Sequence, residues 1–275
     1  MKAATTRHGQ PLVSWGSWNN SEGAARRKRR RRGEALRRIE GLEDRRLLAA
    51  GISIDAASFL RYDGDALATE GVTVTLTGST YRFTSNNDIV IGANAPGLPI
   101  SHPGGDPKVV EVEGITGMNL VVYTAGSTAD VESTAVPTAF YTEAGSAGSK
   151  LTVGDSGDLS GIAAQVSLVN AGAVSDVAAE LDGSAGTTAG AWTLQQDGVN
   201  LARLLGFGAT GAELVYTPSL LSGLTLKNAA GQANKLTVNF DTGTPLPVGT
   251  LTYDGGSTGG AGSSDLVLIG DPGPD

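Results

Sequence analysis

Leu236-Thr237-Val238, Leu251-Thr252-Tyr253 and Leu266-Val267-Leu268 recur at a spacing of fifteen residues, each followed by a turn containing glycine or aspartate. Such a period marks stacked units in a solenoid. A meander of hairpins in a sandwich gives a similar spacing, so three copies leave both architectures open. Working outward, Val72-Thr73-Val74-Thr75-Leu76 alternates apolar and polar positions as a half-buried strand should. Short β-type runs of the same kind stand at Tyr81–Phe83, Asp88–Ile91, Val109–Val112, Leu120–Tyr123, Leu151–Val153, Val166–Val169 and Val177–Leu181. They continue at Trp192–Leu194, Leu214–Tyr216, Leu224–Leu226, Leu236–Phe240, Leu251–Tyr253 and Leu266–Ile269. Many short strands between Gly/Asp/Ser/Asn turns predict an all-β fold for residues 51–275, as one body or as two (51–145 and 146–275). Val199–Leu205 reads instead as one or two helical turns.

The 275 residues divide sharply by charge. Residues 1–50 carry 13 Lys/Arg against 5 Asp/Glu, whereas residues 51–275 carry 7 against 23. A basic head therefore precedes an acidic body. Cysteine is absent, which excludes disulfides, thiolate metal sites and cysteine nucleophiles. His8 and His102 are the only histidines, too few for a multi-histidine metal centre. No window approaches the roughly 18 apolar residues of a membrane helix. Forty glycines and an aromatic content of 5% suit a narrow core of small aliphatic side chains.

Within the head, Arg26, Arg27, Lys28, Arg29, Arg30, Arg31 and Arg32 form an unbroken cationic run that repels itself and binds polyanions. Nuclear or nucleic-acid targeting is one reading, and the positive region of an export segment is the favoured one. Residues 1–33 hold too little apolar surface to offset ordering entropy and are expected to be disordered. Across 34–50, Leu36, Ile39, Leu42 and Leu47 share one helical face, with Gly51 as the expected stop.

Leu42-Glu43-Asp44-Arg45-Arg46-Leu47-Leu48 resembles the LEPR-XLL motif of large secreted or cell-surface bacterial proteins, which usually follows an Arg-rich stretch. Leu42, Glu43, Arg45, Leu47 and Leu48 match, Arg46 fills the variable place, and Asp44 stands where the motif has proline. The resemblance implies export, with this segment as the sorting signal read by export machinery. Lys150-Leu-Thr-Val-Gly-Asp-Ser-Gly-Asp-Leu-Ser-Gly-Ile, Asn234-Lys-Leu-Thr-Val-Asn-Phe and Thr250-Leu-Thr-Tyr-Asp-Gly-Gly resemble β-helix-type repeats of those same proteins. Over roughly 146–270 this implies a right-handed parallel β-helix, with a β-sandwich as the alternative.

Chemistry is sparse. Gly154-Asp155-Ser156-Gly157 resembles the segment around the nucleophile of chymotrypsin-like proteases, but no histidine base accompanies it and the tetrapeptide is also ordinary turn chemistry. Leu204-Leu-Gly206-Phe-Gly208 lacks the strand–helix setting of a phosphate loop and reads as a turn. Calcium is the one candidate cofactor, because Asp-rich turns offer its preferred oxygen ligands. The candidates are Asp63 with Asp65, Asp155 with Asp158, and Asp254 through Asp265. The stretch Gly259–Leu266 resembles one copy of a calcium β-roll repeat with its aspartate a place late.

These observations point to an exported structural or adhesive protein of the bacterial envelope or extracellular space, without evident catalysis. A glycan-active β-helix lyase or hydrolase is the alternative. The acidic body is not expected to bind nucleic acid, whose phosphates need Lys/Arg clusters. Its expected contacts are envelope or extracellular components. Leu266–Ile269 is the most apolar strand candidate, with only six residues after it. Either a downstream continuation or edge-to-edge self-association is expected there.

Overall fold

The computed structural model describes residues 49–92, 94, 97–170, 176–256 and 264–270. The expected cationic tail and the sorting segment up to Leu48 lie outside the described residues. Residues 47–275 form one compact unit. Among the described residues, half the fold's elements run before Glu143: β1 (Ala50–Ile54), β2 (Phe59–Asp63), β3 (Gly71–Thr77), β4 (Thr80–Ser85), β5 (Ile89–Ile91), β6 (Ile100–Ser101), β7 (Val109–Glu113), β8 (Gly117–Val122), β9 (Thr128–Val131) and β10 (Thr138–Thr142). The rest are β11 (Ser149–Val153), β12 (Gln165–Asn170), β13 (Val177–Asp182), β14 (Ala191–Gln196), β15 (Ala202–Leu205), β16 (Glu213–Tyr216), β17 (Leu221–Lys227), β18 (Lys235–Asn239), β19 (Thr250–Asp254) and β20 (Asp265–Ile269). The protein is all-β.

The strands make two large, mostly parallel sheets. The first has the order β20-β18-β14-β15-β16-β12-β10-β8-β2-β1-β5, and the second β19-β17-β13-β11-β9-β3-β4-β7-β6. From β8 to β13 the chain crosses between sheets at every strand. Each strand there pairs in parallel with the second strand after it: β8 with β10, β9 with β11, β10 with β12, and β11 with β13. The antiparallel series β14-β15-β16 then interrupts the alternation by entering the first sheet between β12 and β18. Alternation resumes through β17, β18, β19 and β20. The fifteen-residue period is the step from one sheet to the other, since Lys235 lies opposite Asp265 in the first sheet. At the other end the second sheet closes with antiparallel β4, β7 and β6.

One core lies along the inward faces of the strands. Leu60 and Tyr62, Val72 and Val74, Leu151 and Val153, Val166 and Leu168, and Leu224 and Leu226 alternate with outward polar residues as the strand period of two requires. Each such buried aliphatic side chain is worth about 1.5–3 kcal/mol. Tyr62 of the first sheet and Phe83 of the second stack with ring centroids 6.3 Å apart. The turns between strands are tight. Gly154, at φ 120°, could not become alanine without a Cβ 2.5 Å from the Asp182 carbonyl oxygen.

Two local expectations need correction. Val199–Leu205 does not turn into a helix: Ala202–Leu205 is a strand, because Ala202 and Leu204 alternate into the core while Arg203 faces Asp197 and Glu213. Gly51 is no helix stop either, since Ala50 and Gly51 already belong to β1, paired with β2 and β5.

Candidate functional site

Four of the six predicted cation ligands, Asp63, Asp65, Asp158 and Asp254, have their side chains engaged locally. Asp63 pairs with Arg61 at 2.7 Å and accepts the Tyr123 hydroxyl at 2.8 Å. Asp65 is buried and accepts the Leu67 N–H. Asp158 accepts both the N–H and the hydroxyl of Ser160 at 2.8 Å, and these bonds hold its carboxyl below the usual range. Asp254 accepts the Gly256 N–H, and Asp265 opens β20 in the opposite sheet from Asp254. Burial raises the Glu132 carboxyl, and the charges of Asp155 and Asp130 add to that rise. Among the described residues, no three or more His, Asp or Glu side chains gather in a metal-holding group.

The motif singled out at Gly154–Gly157 is a turn after β11, closed by mutual backbone bonds between Asp155 and Asp158 at 2.7–2.8 Å. The Gly206–Gly208 stretch is the turn from β15 to β16, both glycines having positive φ. His102 sits in an exposed loop, its Nδ1 2.8 Å from the Val109 carbonyl oxygen.

Two of these turns converge with the β13–β14 crossing on a cleft of about 370 Å³. It lies where the series β14-β15-β16 breaks the regular alternation. Asp158 and Ser160 come from the turn after β11, and Thr187 and Thr188 from the crossing between β13 and β14. Phe207 comes from the β15–β16 turn, and Asn228 follows β17. Trp192 of β14 forms an apolar wall with Phe207, their rings edge to face at 6.4 Å. The crossing is tied down at several points: Ala185 N–H donates to the Gly157 carbonyl, Gly183 N–H to the Lys227 carbonyl, and Gly190 N–H to Asn234 Oδ1, each at 2.8 Å. Asn228 is 4% exposed; its Oδ1 accepts the Ala229 N–H, and its side chain also interacts with the Tyr253 hydroxyl. The cleft contains one carboxylate and no cationic side chain among its described lining residues.

Two polar arrays outside the cleft went unread in the sequence. Glu70 is buried, and its carboxylate accepts four donors: the Tyr62 and Ser85 hydroxyls on Oε1, and the Asp65 N–H and Asn87 amide on Oε2. These donors supply in place of water what a buried carboxylate needs. On the second sheet, Glu180 of β13 bridges Lys150 of β11 and Lys227 of β17. Burial alone would raise the Glu180 carboxyl, but hydrogen bonds from the two ammonium groups outweigh it and hold the carboxyl below its usual range. Both arrays tie neighbouring strands together; the first is buried at Glu70, whereas the two lysines of the second are more than a third exposed. Compared with family models, with curated proteins and with solved structures, the chain matches none.

Proposed function

We propose that residues 50–269 form a two-sheet parallel β-solenoid that serves as an exported structural or adhesive element of the bacterial surface. The observation that carries this reading is the β8–β13 alternation, in which consecutive strands change sheets and pair in parallel with the strand after next. A sandwich built from hairpins pairs its neighbours antiparallel instead. Stacked coils convert sequence length into rigid reach, which suits a scaffold or adhesin. The head supports the location: Arg26–Arg32 followed by Leu42–Leu48 resembles the arrangement of LEPR-XLL proteins, with Asp44 in place of proline. A glycan-cleaving enzyme would ordinarily need two carboxylates flanking its bond, and the cleft holds Asp158 alone among its described lining residues.

The same reading gives the β19/β20 end to a second copy of the chain. Leu266 is 57% and Leu268 63% exposed there, and among the described residues the outer edges of β19 and β20 have no strand beside them. A two-fold axis running through both sheets would pair each edge antiparallel with its symmetry mate and bury those leucines. Fractionation of the native cells tests the location. The protein is expected in the envelope or medium, and its recovery from soluble cytoplasm or the nucleoid would overturn the surface reading.

A further inference from the structure

We infer that the cleft between the β13–β14 crossing and the β15–β16 turn binds a neutral carbohydrate ring. The inference deepens the adhesive reading by naming what the surface would grip, but it concerns the purified protein and does not depend on where the cell places it. Its volume of about 370 Å³ falls at the low end of small-molecule sites, which span roughly 300–1,000 Å³. Hydroxyl groups of Thr187 and Thr188 can each donate and accept, the Ser160 hydroxyl and the Asp158 carboxylate accept, and the Asn228 amide lines the same cleft. Gly190 keeps that amide unobstructed, because a Cβ there would lie 2.4 Å from Asn228 Oδ1 and 2.5 Å from Nδ2.

Ligand charge is decided by Asp158. Ser160 holds it ionised, and among the described lining residues no lysine or arginine opposes it, so a phosphate, sulfate or uronate would meet repulsion without a counter-charge. An apolar ligand would strip water from Asp158 and the Thr187 and Thr188 hydroxyls while offering them no hydrogen bond in return. A sugar ring satisfies both constraints, setting hydroxyls against the polar rim and C–H groups against Trp192 and Phe207. Those rings are each 3% exposed, so they form a floor and not a stacking platform.

The test titrates the purified full chain by calorimetry with cellotetraose, mannotetraose and xylotetraose, and with tetragalacturonate as the charged counterpart. At least one neutral tetrasaccharide is expected to bind with a dissociation constant on the order of 0.1–1 mM, at least about tenfold tighter than tetragalacturonate. Ala189→Trp and Thr187→Trp each place an indole at the exposed lip of the cleft and should weaken that binding at least about tenfold. Val248→Trp, at an exposed position outside it, should leave binding unchanged. Absence of neutral-sugar binding up to about 10 mM overturns the inference. So does preference for tetragalacturonate, or binding that survives both lip variants with the chain still folded by circular dichroism. Cell fractionation plays no part in these outcomes, so failure here leaves the surface reading to its own test.

Discussion

Leu236 is fully buried, whereas Leu266, its register partner in the neighbouring parallel strand, is 57% exposed. The two occupy equivalent positions on paired parallel strands, and only Leu236 is covered. Leu194, opposite Val238 in that same sheet, is fully buried as well. Among the described residues, burial thus falls away from β18 to β20.

This gradient predicts unequal costs for the same truncation. Leu194→Ala removes a fully buried side chain and should destabilise the protein by about 2–5 kcal/mol. Leu266→Ala should cost less than about 1 kcal/mol at concentrations where the chain is monomeric. Urea unfolding of both variants against the parent measures the difference.

Glu70→Gln should destabilise the protein by about 1–3 kcal/mol despite its near-identical shape. Its carboxylate accepts four donors, and an amide replaces one accepting oxygen with an NH₂ group facing the donors already there. Tyr62→Phe removes one of those donors and should cost less, leaving Oε1 with the Ser85 hydroxyl. Thermal unfolding of the two variants at neutral pH orders them.

The Lys150–Glu180–Lys227 bridge predicts an acid dependence. The Glu180 carboxyl is held below its ordinary value of 4.5, so its stabilisation is fully present above that value and is lost as the pH falls through the lowered one. Both ammonium groups are more than a third exposed, so the gain stays within about 1 kcal/mol. Glu180→Gln should therefore be slightly less stable than the parent at pH 7 and indistinguishable from it well below pH 4. Parallel urea titrations at the two pH values read this directly.

Much of the strand content was legible because alternation at Val72–Leu76, Leu151–Val153 and Leu236–Val238 reports directly which face is buried. The missed strands carry weaker patterns. Thr128-Ala-Asp-Val buries only Ala129 and Val131, and Thr138-Ala-Phe-Tyr-Thr buries both its threonines beside Phe140. Ala202-Arg-Leu-Leu is built from good helix formers, and pairing with β14 and β16 overrides that preference. The polar sites were illegible for another reason. Glu70 draws its donors from positions 62, 65, 85 and 87, and the cleft joins Asp158, Thr187, Phe207 and Asn228, groupings that arise only once the strands are stacked.

The proposed pairing of copies along β19 and β20, which have no described strand on their outer sides, bears most directly on the structural role, and sedimentation of the purified full chain over a range of concentrations tests it. The parent should associate reversibly, more strongly at higher salt as repulsion between facing acidic residues such as Asp254 and Asp265 is screened. Leu266→Lys/Leu268→Lys should sediment as a monomer with its fold intact. A parent chain that stays strictly monomeric at the highest soluble concentration and high salt, or a double variant that associates as the parent does, would contradict the account.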